Sequence, residues 1–138
     1  MTRINSIPPQ LLTNEHLMAE YRELPRVFTA VLRRLDKPTS DLPATYRLGT
    51  GHVKFFYDKC KWLLNRYKTI IAELEDNRGY SLDKDMYTKI IESVALIKRN
   101  LDYYNDWTPQ PQDYYLSMAR LARRSKLPTV LVEITSHD

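Results

Sequence analysis

The stretch His16-Leu17-Met18-Ala19-Glu20-Tyr21-Arg22-Glu23-Leu24-Pro25-Arg26-Val27-Phe28 sorts into two faces when wound as a helix. Leu17, Tyr21, Leu24, Phe28, Val31 and Leu35 recur at steps of three and four residues and form one apolar stripe. Roughly opposite lie Arg22, Arg26 and Arg33, with the small residues Ala19 and Ala30 between them and His16 and Glu23 at the edge. Guanidinium groups flanked by alanines let a flat polyanion approach the helix backbone. A carboxylate beside them is what an acid/base site needs, so the pattern points to chemistry on nucleic acid.

Outward from this helix, the chain reads as all-α: one compact domain of about four helices with an extended N-terminal arm. Pro8-Pro9 cannot continue a helix, so Ile4 to Gln10 reads as an arm that can lay Thr2 back across the first helix. Thr13 or Asn14 is the expected N-cap, with Glu15 in the first turn where the helix dipole favours it. Pro25 should kink the helix, yet the apolar spacing keeps phase to about Leu35, so a single bent helix is expected. Asp36 to Leu48 is a loop. Val53, Phe56, Cys60, Leu63, Tyr67, Ile70 and Leu74 predict a central packing helix that ends near Asn77, with Gly79 as its C-terminal cap. Ser81 to Tyr104 is a third helix, with Met86, Ile90, Val94, Ile97, Leu101 and Tyr104 on its inner side. Asp113 to Ser125 is a fourth, with Tyr114, Met118 and Leu121 inward and its arginines outward. Pro128 stops it, and Thr129 to Ile134 is a short β-branched tail.

A chain of 138 residues is one domain by size. The net charge of +4 does not by itself point to nucleic acid, but its distribution does. Arg120, Arg123, Arg124 and Lys126 form an acid-free cluster, and Lys54, Lys61 and Lys68 repeat every seven residues. A lone Cys60 excludes an internal disulfide and fits a reducing compartment. No apolar run approaches a membrane span, and the N-terminus lacks the apolar core of a signal peptide, so the protein is expected to stay in the cytoplasm where it is made. His16, His52 and His137 are scattered, without metal-ligand spacing, so neither a metal nor another cofactor is expected. Gly49-Thr50-Gly51 lacks the lysine and serine of a nucleotide-binding loop.

Thr2-Arg3-Ile4-Asn5, the block His16 to Phe28, and Gly51-His52-Val53-Lys54-Phe55-Phe56-Tyr57-Asp58-Lys59 together resemble the phage endonuclease V family. Its members are pyrimidine-dimer DNA glycosylases with an abasic-site lyase activity. The resemblance implies that residues 1–138 are a single glycosylase/lyase domain, acting as a monomer on lesion-bearing double-stranded DNA in a bacterial cell or a phage-infected host. It implies that Thr2, exposed by removal of Met1, attacks the sugar with its α-amine, and that Glu23 stabilises the cationic sugar and moves protons. The residues agree. An α-amine has a pKa of about 7.7–8.0 against about 10.4 for lysine, so far more of it is neutral at pH 7.

The resemblance also implies that Arg3, His16, Arg22 and Arg26 contact DNA, and a gap-free extension adds Arg120 and Arg124, spaced i and i+4 on the last helix. Guanidinium forks suit phosphate. The chain departs from the family at Glu15 (commonly glutamine), at Thr29 (a glycine), and in its clear helix over Ser81 to Tyr104. It departs most at the C-terminus, where Thr129 to Ile134 stands in place of a tyrosine-rich tail. Tyr103, Tyr104 and Trp107 are candidate replacements, with a core or interface role as the alternative. Two other functions stay open at this point: the same chemistry on another damaged or modified base, or a non-catalytic basic helical DNA-binding module.

Overall fold

The computed structural model describes residues 2–124, with side chains as far as Ala122. Its helices are α1 (Asn14–Glu23), α2 (Pro25–Leu32), α3 (His52–Phe55), α4 (Cys60–Ala72), α5 (Lys84–Ile97) and α6 (Pro111–Arg124). Among the described residues there is no strand, only an isolated bridge between Lys59 and Tyr104. The chain is all-α, as its periodicity requires. The expected tail Thr129 to Ile134, Pro128 and the side chain of Arg124 lie outside the described residues. Among the described residues no helix is long and apolar enough to cross a membrane.

Thr13 is the N-cap of α1: its Oγ1 accepts from the His16 amide at 3.2 Å. The expected bent helix is instead two. Proline has no N–H to give the Tyr21 carbonyl, so α1 closes at Glu23 and Pro25 opens α2 in the first-turn position where it costs nothing. Leu24 between them keeps helical angles, so the stripe stays in phase, with Leu17, Leu24, Val27, Phe28 and Val31 all buried.

The expected central helix is also broken, and tertiary contact is the cause. The Asp58 carbonyl accepts from the amide of Asn105, and the Asn105 carbonyl accepts from the amide of Trp62. The segment following α5 thus takes groups that a continuous helix would use, and Lys59 adopts φ −119°, ψ 38°. From Cys60 the helix resumes, with Leu63, Leu64, Tyr67 and Ile70 buried. A wide turn over Glu73–Asn77 follows. Gly79 then takes φ +73° and lets the Tyr80 amide reach back to the Leu74 carbonyl at 3.0 Å, the expected glycine cap.

α1 lies against α2 and α4, and α5 packs on α2 and α4. Ile90, Val94 and Ile97 face the core of this packing as expected, but Met86 and Leu101 do not: they are 44% and 68% exposed. Helix α5 ends at Ile97, so Leu101 lies beyond it, and Met86 sits in the first turn beside an open groove shared with Pro25, Phe28 and Thr29 of α2. On α6, Met118 and Leu121 are buried, whereas Tyr114 is exposed. Trp107 packs against Tyr46, Phe55, Phe56 and Trp62, and Tyr103 is fully buried with its hydroxyl 2.8 Å from the carbonyls of Arg34 and Lys37. Both are core side chains.

Candidate active site

The arm before α1 is extended and buried from Ile4 to Ile7, yet no strand lies beside it. Side chains take the place of a neighbouring strand. Successive amides of an extended chain point in opposite directions, and each direction meets a different wall. The Arg3 amide donates to Glu23 Oε1 at 3.0 Å and the Asn5 amide to Glu20 Oε1 at 3.3 Å, both on α1. The Ile4 amide donates to His52 Nε2 at 2.9 Å and the Ser6 amide to Ser117 Oγ at 2.9 Å, on α3 and α6. Glu20 and Glu23, one helical turn apart, match the two-residue repeat of the arm.

Behind the arm is a buried polar network. Glu20 is 2% exposed, and its carboxylate takes Arg66 Nε at 2.7 Å, Arg66 Nη2 at 3.0 Å and Asn5 Nδ2 at 2.7 Å. Arg66 also donates through Nη1 to the Ile7 carbonyl. Asn5 Oδ1 accepts from Arg120 Nη2 at 2.6 Å, and the Ile4 carbonyl accepts from the Tyr46 hydroxyl at 3.0 Å. A bidentate Arg66–Glu20 pair with its remaining lone pairs satisfied is the arrangement in which a buried ion pair is tolerated.

In front of the network lies a cavity of about 40 Å3 lined by Arg3, Asn5, His16, Ala19, Glu20, Glu23, Arg120 and Leu121. Four residues singled out from the sequence, Arg3, His16, Glu23 and Arg120, therefore meet in one water-sized space. Burial lowers the pKa of His16, and Arg120 and Arg3 lower it further against the opposing pull of Glu15. His16 Nε2 is buried and has no hydrogen-bond partner among the described residues. His52 is lowered to about 4, chiefly by burial, so its imidazole is neutral at physiological pH.

The Glu23 carboxylate grips the amide of the Thr2–Arg3 peptide. The Thr2 nitrogen is three covalent bonds from that amide, so the chain itself keeps it near the carboxylate. Thr2 and Arg3 are part-exposed, and Arg22 and Arg26 are exposed on α1 and α2. Arg120 departs from the outward placement expected for it. It is 8% exposed and turned into the arm, because the i, i+3 row from Ser117 to Arg120 and Leu121 is the inner face of α6. Arg124 ends α6, and its side chain is not among those described. Among the described residues no three His, Cys, Asp or Glu side chains converge to hold a metal ion.

Sequence reading missed the arm's supports: Asn5, Glu20, Tyr46, His52, Arg66 and Ser117. Two left a signal. Glu20 falls in phase with Leu17 and Leu24, and Arg66 with Leu63 and Ile70, so each is a charge on an apolar stripe that needs a buried partner. The other four carry none, since nothing local tells a hydroxyl, amide or imidazole which distant amide it will meet.

A family model described as pyrimidine dimer DNA glycosylase matches residues 1–88, well over half of the chain. The match takes in the arm, Glu20 and Glu23 of α1, the arginines of α1 and α2, His52 and Arg66, and stops short of α6. The chain belongs to the pyrimidine dimer DNA glycosylase family, that of phage endonuclease V.

Proposed function

We propose that this protein is a bifunctional DNA N-glycosylase and abasic-site lyase that repairs UV-induced pyrimidine dimers through an imine at its N-terminal amine. The observation that carries the reading is the 3.0 Å bond from the Arg3 amide to Glu23. It holds a carboxylate beside the one amine of the chain that is substantially neutral near pH 7 once Met1 is removed.

The lone pair of the Thr2 amine attacks C1′ of a damaged nucleotide. The glycosidic C1′–N1 bond breaks, and its electron pair leaves with the base, which takes up a proton. Ring opening at O4′ gives an imine between Thr2 and C1′. The imine acidifies the C2′ proton; its removal expels the 3′ phosphate by β-elimination, and water then hydrolyses the imine and frees the amine. Glu23 stabilises the cationic sugar and carries the protons in these steps. Arg3, Arg22 and Arg26, with His16, hold the phosphates and sugars around the lesion, and Arg124 extends the contact along α6, while Arg120, turned into the arm, lines the cavity behind them. In this reading residues 1–138 are one repair domain, active as a cytoplasmic monomer on double-stranded DNA.

Borohydride trapping of the Met1-processed protein tests it, on duplexes bearing either a thymine dimer or an abasic site. Adducts on both, lost when Met1 is retained or the amine is acetylated, are expected. An adduct on the abasic site alone would keep the amine chemistry and move the target to another damaged base. No adduct on either would leave a non-catalytic DNA-binding domain.

A further inference from the structure

The imidazole of His52 is held between two partners whose roles are not negotiable. An amide can only donate, so the Ile4 N–H at 2.9 Å requires a lone pair on Nε2. A carbonyl can only accept, so the Arg47 oxygen at 2.8 Å requires the proton on Nδ1. The ring is therefore the neutral Nδ1–H tautomer. Gly51 makes this placement possible: it takes φ +88°, and a Cβ there would come within 3.0 Å of Arg47 Cδ. The Arg47–His52 loop can then fold tightly enough for the ring to meet the carbonyl of its own turn.

The same loop unit grips Ile4 a second time. Tyr46 donates to the Ile4 carbonyl at 3.0 Å and packs edge-on against the His52 ring. The Ile4 side chain is itself fully buried. With the Ile4 amide tied to α3 and the Arg3 amide tied to Glu23, the peptide between them cannot rotate. The charged groups near the ring are Arg120 of α6 and Arg3 of the arm, which oppose its protonation, and Glu20 of α1, which favours it. An imidazolium would turn an N–H against the Ile4 N–H and break the grip.

Resting on the amine mechanism proposed above, we infer that His52 is a positioning residue for the nucleophile: by accepting from the Ile4 amide, it sets the direction in which the α-amine two residues upstream meets C1′. The ring is buried, and it acts through the Ile4 backbone rather than as an acid or base.

The test compares the Met1-processed full chain with His52→Phe and His52→Gln. Phenylalanine keeps the ring but has no lone pair; the glutamine amide oxygen restores an acceptor at the reach of Nε2. Single-turnover trapping is measured at saturating abasic duplex, per folded molecule, with binding followed by anisotropy. His52→Phe should lower the trapping rate roughly ten- to a hundredfold, since small misplacements of a nucleophile are costly, and His52→Gln should recover most of it. Duplex affinity should stay within about twofold for both, the signature of a misaimed nucleophile rather than weakened binding.

Trapping by folded His52→Phe at the rate of the unsubstituted protein would overturn the inference and leave the amine mechanism standing. No adduct with the unsubstituted protein would overturn both. Should His52→Phe fail to fold, the imidazole ¹⁵N shifts of the unsubstituted protein and the trapping rate of His52→Gln decide. A protonated Nε2, or a glutamine variant that folds and binds but is as slow as an amine-blocked chain, overturns it.

Discussion

Glu20 and Glu23 sit one turn apart on the same helix, face the same arm and line the same small cavity, yet their surroundings differ sharply. Glu20 is buried, pairs with Arg66 through both oxygens, and accepts twice more from Asn5. Its lone pairs are committed to the fold. Glu23 is part-exposed and accepts from the backbone beside Thr2. A carboxylate surrounded by fixed donors is a structural anion, and one that meets the chain terminus and solvent can exchange protons.

That contrast can be broken most directly at Glu23. Glu23→Gln keeps an oxygen for the Arg3 amide but removes the acid/base group, so dimer excision should fall about 10²- to 10⁴-fold. Its unfolding free energy should stay within about 0.5 kcal/mol, as for a substitution outside the core. A loss of several kcal/mol in urea unfolding would make Glu23 a second structural anion. Glu20→Gln should do the reverse, leaving Arg66 buried and unpaired and lowering the unfolding free energy by about 3–5 kcal/mol. Combining it with Arg66→Met should recover part of that loss, because the stranded charge goes too. A Glu20→Gln variant as stable as the parent would show the pair to be dispensable.

The grip on the arm's other side should appear as pH dependence. His52 titrates near 6.5 when unfolded and at about 4 when folded, so between these values the unfolded chain binds the extra proton. Stability from this group is complete above pH 6.5 and falls as pH drops toward 4, by roughly 3 kcal/mol in all. The difference between the parent and His52→Gln in denaturant unfolding across pH 4–7 isolates it from the carboxylates, and a constant difference would deny the burial of a neutral ring. The smallest effect belongs to the exposed arginines. Arg22→Gln or Arg26→Gln should each reduce the salt slope of duplex binding by about 0.9 for every phosphate that the guanidinium had neutralised. Anisotropy titrations at several salt concentrations measure it, and an unchanged slope would remove that residue from the DNA interface.

Most of the helical architecture was legible because it is written in local patterns. The stripe from Leu17 to Val31 is buried as its spacing demands, Thr13 caps α1, and Gly79 caps the turn after α4. Other outcomes departed from the pattern. The break at Asp58–Lys59 comes from Asn105, more than forty residues away, taking the Asp58 carbonyl. The exposure of Leu101 depends on where α5 ends. Arg120 looked like part of an outward basic cluster, but Asn5 draws it inward. Composition and periodicity see neighbours along the chain, and the break and the turn of Arg120 were settled by partners across it.

The candidate site divides along the same line. Thr2, Arg3, Glu23 and the exposed Arg22 and Arg26 were singled out as candidates by the resemblance that the N-terminal segment and the helix stretch carry. Their chemistry is intrinsic: a low-pKa amine, a carboxylate, and guanidinium forks at helical spacing. What the tertiary structure decided is how the arm is aimed. An extended segment has no internal hydrogen bonds to define its path, so its course is set only where its amides find acceptors. Here those acceptors stand on α1, α3 and α6, up to 111 residues away in sequence from the amides they meet. Only packing of the whole domain brings them to one line.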